Sequence, residues 1–337
     1  MTDRTLSVGI DVSPLELTRA GTARHIEQLT AVLEAAPEID LRRYAFGGRG
    51  RATAVARDTG WYLAGLPRRA ARDGVDLLHC PTFRAPARCT VPLVVTVHDL
   101  AVLRHPYLFN RWSREYGRRV LPHVARAASA IVAVSEFTRG EVVELLGVPP
   151  ERVHHVPNGV GPPFVADGPA ADGDYVLAVA TLEPRKNLAR LVEGFQRAQL
   201  DGVELRIAGP AGWGGVRVRG RLVTWLGEVE EGELATLYRG ARCVSYVSLY
   251  EGFGLPLLEA MACGVPVVTS DAPALLEVGG EAAVSVDALD PDAIAAGLET
   301  AIARREELGA LGVERSHDFA WAEVGRRTID VYRSVVR

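Results

Sequence analysis

The nine residues from Glu251 to Glu259, with the sequence EGFGLPLLE, place one carboxylate in a glycine-rich loop and a second in the helix that the loop opens. Apolar stretches of strand length lie on both sides, Cys243 to Leu249 before the segment and Val265 to Thr269 after it. A strand, a loop, a helix and a second strand in succession form the repeating unit of a parallel sheet. The segment therefore predicts an α/β fold.

The start of this helix is predicted to bind an anion. The backbone N–H groups of Phe253, Gly254 and Leu255 have no partners within a helix, and the helix dipole favours a negative charge beside them. The two glutamates are eight residues apart. That spacing corresponds to roughly 12 Å of helix, about the separation between the hexose and the ribose of a nucleotide sugar. We therefore expect a diphosphate at the helix start, with Glu251 on the sugar and Glu259 on the ribose.

A helix with one exposed glutamate at each end is the alternative interpretation of these nine residues. Carboxylates at this spacing are common in helices, so the spacing alone does not decide between the two. The helix around Glu259 is strongly apolar, however, and a carboxylate in such surroundings needs a partner.

The only lysine of the chain, Lys186, is a second candidate for the same site. The other 37 of the 38 basic residues are arginine. One explanation is that this lysine has been kept by chance. The other is that a compact ammonium group is needed where a planar guanidinium does not fit, as beside a diphosphate oxygen.

Strands and helices alternate along the whole chain, which predicts two doubly wound parallel sheets. A length of 337 residues also exceeds the usual size of a single core. Residues 157–174 are rich in Pro, Gly and small polar residues, which is typical of linkers. We expect an N-terminal domain at 1–166, a linker at 167–174, a C-terminal domain at 175–318, and a C-terminal helix at 319–337 that can pack back toward the first domain. Ligands bind at the carboxyl ends of such strands, so we expect the site in a cleft between the facing domains.

Two positions in the first half are candidate site residues. Gly21 and Thr22 stand at the start of a predicted helix, Ala20 to Ala36, directly after a strand and a loop. This layout often binds phosphate, but without a G-x-G-x-x-G motif a plain helix entry is equally consistent. His98 follows the apolar strand Leu93 to Val97, where either a functional or a structural histidine can stand. Other predicted helices include the long segments 107–128 and 291–307.

Composition excludes several classes of protein. Apolar residues make up 48% of the chain and charged residues 24%, as in ordinary soluble proteins. The sequence has no apolar run long enough for a membrane span and no signal-peptide core, so we expect a cytoplasmic protein. The four cysteines lack metal-binding spacing and are expected to be free thiols. No metal, cofactor or nucleic acid is expected.

Charge is divided unevenly between the halves. Residues 1–166 contain 21 Arg and 16 acidic residues, a net charge of +5, and the remainder contains 17 basic and 26 acidic residues, a net charge of −9. A solvated basic face is one interpretation. Attraction to an anionic acceptor, or peripheral contact with the inner face of a membrane, is the other.

Three motifs together make the chain resemble the retaining glycosyltransferases of family 4, also called group 1 glycosyltransferases. They are EGFGLPLLE, the stretch TLEPRKN at 181–187 and the stretch PNGV at 157–160. The resemblance covers nearly the whole chain and includes TVHDL at 96–100. It implies the GT-B fold, in which two Rossmann-like domains face each other across a cleft.

The resemblance also implies roles for individual residues. Glu251 would contact the donor sugar, Glu259 would hold the ribose, Lys186 would neutralise the diphosphate, and His98 would lie against the donor sugar at the reaction centre. Many members have Gly-Arg where this chain has Ala180-Thr181, which leaves Arg185 as the candidate second cation. The catalytic candidates are thus His98, Glu251, Lys186 and Arg185. The candidate donor-binding residues are Gly21, Thr22, Asn158, Glu251, Gly252, Phe253, Gly254, Leu255 and Glu259.

The implied function is metal-independent, retaining transfer of a hexose from a nucleotide sugar to a saccharide, lipid-linked or small-molecule acceptor. EPRKN is similar to the mannosyl-transferring branches, which favours GDP-mannose as the donor. A transferase of the same fold that uses a UDP-sugar, or a non-catalytic protein that binds sugar nucleotides, is the alternative.

Overall fold

The structure of the chain, a computed structural model, describes residues 4–16, 21–48, 50–109 and 111–336, with the backbone alone for residues 51, 52 and 54. The chain divides into two units, one made of Met1–Gly159 and Trp321–Arg337 and the other of Val160–Ala320. Part of the phosphate loop expected before Gly21 falls at residues 17–20, outside the described residues. Arg49 of the basic first half also lies outside them.

A six-stranded parallel sheet forms the centre of the first unit, with the strand order β2-β1-β3-β4-β5-β6. The strands are β1 (Leu6–Asp11), β2 (Ile39–Tyr44), β3 (Leu77–Cys80), β4 (Leu93–Val97), β5 (Ala130–Ala133) and β6 (Val153–His155). Every residue of β3, β4 and β5 is buried, as expected for parallel strands covered on both faces.

Helices cover this sheet and connect its strands. They are α1 (Gly21–Ala35), α2 (Arg51–Ala56), α3 (Leu66–Asp73), α4 (Ala101–Arg104), α5 (Arg111–Arg119), α6 (Leu121–Ala127) and α7 (Glu136–Leu146), with a π-helical segment at Arg57–Gly65. The C-terminal helix, Trp321–Val335, also belongs to this unit. It packs against α1 so closely that a Cβ at Gly325 would lie 2.4 Å from Val32.

The second unit has the same architecture, with the strand order β12-β11-β10-β7-β8-β9 and all pairs parallel. Its strands are β7 (Tyr175–Val179), β8 (Glu204–Ala208), β9 (Val223–Gly227), β10 (Cys243–Tyr246), β11 (Val267–Ser270) and β12 (Ala283–Val286). Its helices are α8 (Leu188–Arg197), α9 (Glu231–Gly240), α10 (Leu255–Ala262), α11 (Pro273–Gly279), α12 (Pro291–Ala303) and α13 (Arg305–Ser316). The two parallel sheets with helices confirm the predicted α/β fold class.

Residues 160–174, which include the expected linker, belong to the second unit. The guanidinium of Arg239 donates to the carbonyl oxygens of Val165 at 3.1 Å and Pro169 at 2.7 Å. The ring of Phe164 lies 5.8 Å from that of Tyr238. These contacts come from α9, which is far away in sequence, so composition could not reveal that the segment packs against it.

The strands predicted at Cys243 to Leu249 and Val265 to Thr269 have other bounds in the structure, Cys243–Tyr246 and Val267–Ser270. Three further elements also differ from the sequence-based prediction. The helix expected at 107–128 is divided into α5 and α6, because Pro122 lacks an N–H and its ring would clash with the preceding turn. The helix expected at 291–307 ends at Ala303, and α13 follows it. The edge strand β2 was not predicted, since only its first and last residues are buried and the alternation between them is obscured by charged residues.

None of the helices in the described part of the chain combines the length and the apolar character needed to cross a bilayer.

Candidate active site

The loop between β10 and α10 carries Glu251 and sets the direction in which the helix starts. Gly254 precedes the helix with φ at 107°, a conformation that residues with a Cβ rarely adopt. A Cβ at this position would also lie 2.5 Å from Leu275 Cδ2. Pro256 occupies the first turn. The predicted helix start at Leu255 is therefore confirmed, and it depends on glycine at position 254.

The Glu251 side chain is buried, with 6% of the residue exposed, and it contacts two cations. Its Oε1 lies 2.5 Å from Lys186 Nζ, and its Oε2 lies 3.5 Å from Arg185 Nη1. Burial alone would raise the pKa of this carboxyl, but the charges of Lys186 and Arg185, with hydrogen bonds from Lys186 and Ser248, lower the pKa to about 2. Glu251 is consequently ionised at neutral pH.

Lys186 lies between this carboxylate and an aromatic hydroxyl. Its Nζ donates to the Tyr246 hydroxyl at 2.8 Å and lies 5.0 Å from the centroid of the Tyr246 ring. Tyr246 is the last residue of β10, so the strand end and the loop after it hold the ammonium group together. Tyr246 was not predicted as a site residue, because in an apolar strand it looks like an ordinary core residue.

Arg185 is shared between two carboxylates. Its Nη2 lies 2.9 Å from Glu183 Oε1, a much closer contact than the one to Glu251. Glu183 is 2% exposed. The group therefore contains two cations and two carboxylates, and Arg185 is already paired in this structure. Glu183 was missed as a site residue, although it lies inside the quoted stretch TLEPRKN.

Asn187 holds the loop that carries both cations. It has a positive φ of 58°, which asparagine tolerates better than most residues. Its amide Nδ2 donates to the carbonyl oxygens of Val247 at 3.1 Å and Ala288 at 2.7 Å. The Leu249 N–H donates to the Arg185 carbonyl at 2.9 Å. These bonds join the stretch TLEPRKN to the loop of Glu251.

Glu259 is buried in α10 with 2% of the residue exposed, and its Oε2 accepts a hydrogen bond of 3.0 Å from the Tyr238 hydroxyl. The prediction that this carboxylate is buried and has a partner is confirmed. This contact is with α9 rather than with the Lys186 group, so the two glutamates have different surroundings. The ribose contact stays a prediction.

The other residues of the predicted helix-start site are placed by the chain itself. Gly252, Phe253 and Gly254 are buried, and Leu255 is half-buried. The Phe253 ring packs against Phe319 with 5.8 Å between the ring centroids. The aromatic residue of EGFG therefore serves the packing of the loop.

His98 follows β4 in the first unit and is partly exposed. Its Nε2 lies 3.0 Å from the carbonyl oxygen of Pro81. Burial lowers the pKa of His98 below its ordinary value, although the Pro81 carbonyl and Asp99 act in the opposite direction. The imidazole is thus neutral at pH 7.

Three more candidates lie in the first unit. Gly21 and Thr22 are the first two residues of α1 and are half-buried. Asn158 is 2% exposed. It lies beside His25, a residue of α1 that the sequence analysis did not identify, and the His25 ring contacts that of His98 at a centroid distance of 4.8 Å.

The structure therefore brings the predicted residues together in two groups. Arg185, Lys186 and Glu251 form one ionic group in the second unit. His98 and Asn158 form another in the first unit, joined through His25. An ionised carboxylate beside an ammonium group can bind sugar hydroxyls and phosphate oxygens, and a neutral imidazole can orient a hydroxyl group.

Two family models match adjacent parts of the chain. The model described as Glycosyltransferase Family 4 matches residues 9–162, and the model described as Glycosyl transferases group 1 matches residues 165–314. Among curated proteins, the O-antigen chain mannosyltransferase B of Escherichia coli is 31% identical, with 96% of each chain covered. A D-inositol 3-phosphate glycosyltransferase of Kineococcus radiotolerans is 31% identical over 74% of this chain and 68% of that protein.

Solved structures with the same fold include a sucrose-phosphate synthase from Thermosynechococcus elongatus, with a TM-score of 0.79, 19% identity and 98% of each chain covered. The Anabaena protein HepE in complex with UDP-glucose has a TM-score of 0.74 and 18% identity, with 98% of this chain and 100% of that chain covered. At these identities the likeness concerns the fold alone.

Proposed function

Because the chain belongs to the group 1 glycosyltransferases, we propose that it transfers mannose from GDP-mannose to a hydroxyl group of a saccharide, lipid-linked or small-molecule acceptor, with retention of anomeric configuration. The chain is a glycosyltransferase with the GT-B fold. The proposal concerns the donor, the stereochemistry and the acceptor. The observation that carries the choice of mannose is that a full-length relative is named a mannosyltransferase.

Lys186 is the residue best suited to meet the charge of the diphosphate leaving group. An ammonium group has three N–H donors, and Lys186 uses one toward Glu251 and one toward Tyr246. The third is proposed to donate to a phosphate oxygen, which requires no loss of the other two. Such a preorganised donor stabilises developing negative charge, typically the largest catalytic effect.

Glu251 would bind the donor sugar. Its carboxylate is ionised because of Lys186 and Arg185, so it can only accept hydrogen bonds, and the hydroxyls of a hexose can supply them. The same two cations that keep Glu251 ionised lie where the leaving group is proposed to bind. Sugar binding and leaving-group stabilisation are therefore coupled through one ionic group.

His98 would orient a substrate hydroxyl rather than act as a nucleophile. The Pro81 carbonyl can only accept a hydrogen bond, so the ring proton is assigned to Nε2. The lone pair of the neutral ring then lies on Nδ1 and can accept a hydrogen bond from a hydroxyl. Retention is proposed from the resemblance to family 4.

We also propose that no metal is required. The charge of the leaving group would be met by Lys186, by Arg185 once it is released in part from Glu183, and by the amides at the start of α10. Activity that is unchanged by EDTA and by added Mg²⁺ or Mn²⁺ is the expected result. Loss of activity on chelation, with recovery on addition of a metal, would contradict this part of the proposal.

The experiment that tests the donor is a comparison of nucleotide release from GDP-mannose, GDP-glucose, UDP-glucose and UDP-galactose with a panel of mannoside acceptors. GDP-mannose should give the highest kcat/KM, and NMR of the product should show the α-anomer, as in the donor. A higher kcat/KM with a UDP-sugar would favour the alternative transferase, and a β-linked product would exclude retention.

A further inference from the structure

Three histidines cluster at the carboxyl ends of strands in the first unit, and they differ in how their ring nitrogens are paired. His79, the third residue of β3, has both nitrogens in hydrogen bonds, Nδ1 with the Tyr332 hydroxyl at 2.7 Å and Nε2 with Thr96 Oγ1 at 2.9 Å. His25 of α1 is equally buried at 3% exposure. Neither of its ring nitrogens has a hydrogen-bond partner in the described part of the chain.

Asn158 lies beside His25, close enough for its side chain to influence the imidazole, but no hydrogen bond of normal geometry joins the two. The Asn158 side chain is 2% exposed, and its Oδ1 also lacks a partner among the residues that the structure describes. The backbone here is tightly enclosed, since a Cβ at Gly159 would lie 2.5 Å from the Trp321 ring. The Trp321 ring in turn lies 5.8 Å from the ring of His25. Packing therefore fixes both polar groups in position.

Unpaired buried polar atoms cost folding free energy, and nearly all are paired in folded proteins. An apolar ring of the same shape at position 25 would keep the contacts with His98 and Trp321 without that cost. The cluster around His79 shows that this fold can satisfy a buried imidazole completely. The unpaired state of His25 is consequently a candidate for function rather than for stability.

The chemistry of the two groups selects the kind of ligand. Burial lowers the pKa of His25 well below its ordinary value, the neighbouring His98 and His79 lower it further, and the Asn158 side chain acts in the opposite direction. A neutral imidazole offers one donor and one acceptor, and the Asn158 oxygen offers a second acceptor. A hydroxyl group, which both donates and accepts, matches this set. A phosphate or carboxylate, which only accepts hydrogen bonds, would meet one donor, two acceptors and no positive charge.

We propose that His25 and Asn158 form a hydroxyl-binding subsite beside His98 that holds a hydroxyl of the sugar acceptor. This inference rests on the proposed transfer to a sugar hydroxyl. Asn158 was predicted from the sequence to bind the donor. We assign it to the acceptor instead, because the carboxylates and cations proposed for the donor lie in the second unit. The His98 ring lies 4.8 Å from the His25 ring and at 85° to it. Because His98 is partly exposed whereas His25 is buried, we expect the hydroxyl to approach past His98.

The test compares the native enzyme with His25→Phe, using methyl α-D-mannopyranoside and its monodeoxy derivatives as acceptors. In the native enzyme, removal of the bound hydroxyl should raise the acceptor KM about tenfold, as expected for one neutral hydrogen-bonding group. In His25→Phe the KM of the intact acceptor should be about tenfold higher than in the native enzyme. The same deoxy derivative should then have the same KM as the intact acceptor. The Tm of His25→Phe should equal or exceed that of the native enzyme.

His79→Phe is the matched control, because it changes the same residue type in the same cluster but removes paired nitrogens. It should lower the Tm and leave the discrimination against the deoxy derivative intact. His25→Asn, which restores a donor and an acceptor, should recover part of the discrimination. If His25→Phe keeps the native discrimination, or raises the donor KM instead of the acceptor KM, the subsite is not an acceptor site.

The subsite and the proposed donor can fail separately. The donor comparison with the native enzyme decides whether GDP-mannose is used. If another nucleotide sugar proves to be the donor, the deoxy series is measured with that donor, and its outcome still decides the role of His25.

Discussion

Lys186 Nζ lies 2.5 Å from Glu251 Oε1, so the only lysine of the chain and the first carboxylate of EGFGLPLLE form a buried ion pair. The loops that carry them are joined by the hydrogen bond from Leu249 N–H to the Arg185 carbonyl. The charge offered to a diphosphate and the ionisation of Glu251 are therefore not independent. A change in either residue therefore alters the electrostatic surroundings of the other.

Lys186→Arg should lose more than tenfold in kcat/KM, a loss of over ~1.4 kcal/mol of transition-state stabilisation. Lys186 is enclosed by Glu251 and the Tyr246 ring and hydroxyl, where a planar guanidinium cannot keep both contacts and still direct a donor at phosphate. Steady-state kinetics with the best donor measures the effect. Arg304→Lys, an exchange of the same two residue types on the surface, is the control and should be neutral. A variant that keeps more than a tenth of native kcat/KM would show that no compact charge is needed.

Glu251→Gln and Glu259→Gln should fail in different ways. Glu251→Gln should lower kcat with nearly native affinity for the free nucleotide, because the proposed contact is with the sugar. Glu259→Gln should lower the affinity for both the donor and the nucleotide product, because the predicted contact is with the ribose. Kinetics together with calorimetric titration of GDP separates the two. Equal loss of nucleotide affinity in both variants would contradict the division of roles.

Asn187→Ala should reduce stability by about 2 kcal/mol and activity with it. The change removes both hydrogen bonds from the Asn187 amide and places alanine at a φ of 58°. Asn187→Gly keeps the backbone conformation but not the bonds, so it separates the two causes. Urea unfolding gives the stability. If Asn187→Ala has native stability, the loop of Lys186 is held by other contacts.

Stability should fall as the pH drops below about 6.5. Burial lowers the pKa of His79 to about 3 and, with the neighbouring histidines, lowers that of His25 well below its ordinary value. The unfolded chain binds protons at these residues below about pH 6.5, whereas the folded chain does not, so acid favours unfolding. Each histidine should contribute about 1.4 kcal/mol per pH unit. Urea unfolding between pH 5 and 7 tests this, and His25→Phe should reduce the slope by about one proton.

The acceptor KM should rise with ionic strength if the acceptor is anionic, and Arg68→Ser, Arg69→Ser and Arg72→Ser together should raise it further. Such attraction is screened over roughly 8 Å at physiological salt. Arg69 and Arg72 are exposed but both lie 3.3 Å from Asp73, which reduces the charge they present. The donor KM should change much less. An acceptor KM that does not depend on salt would identify a neutral acceptor and an ordinary solvated face.

Peripheral membrane contact stays a prediction, and α5 is the helix expected to make it. Its arginines 111, 114, 118 and 119 and its Trp112 are exposed, although Arg118 and Arg119 are both paired with Glu115. Basic and aromatic residues on one helix suit an anionic interface. The chain should sediment with vesicles that contain phosphatidylglycerol but not with neutral vesicles, and Trp112→Ser should weaken binding. Absence of the chain from the pellet with anionic vesicles would exclude this role for α5.

Most elements of both sheets follow from local sequence, because apolar strands buried on both faces and helices started by Gly or Pro are encoded by neighbouring residues. The strand Leu93–Val97 has the predicted bounds. The candidate residues of EGFGLPLLE and TLEPRKN are likewise visible as types and spacings. Local patterns could not predict β2, because this edge strand is charged in its interior and only its first and last residues are buried.

The sequence by itself determined the fold class, the family resemblance and the residue types available for chemistry. The tertiary structure alone decided the partners: Glu183 for Arg185, Tyr238 for Glu259, α9 for residues 160–174, and His25 with Asn158 beside His98. The physical reason is that propensity and periodicity act between near neighbours in the chain. The charge and hydrogen bonding of a buried side chain, in contrast, depend on residues that only packing brings within a few ångströms.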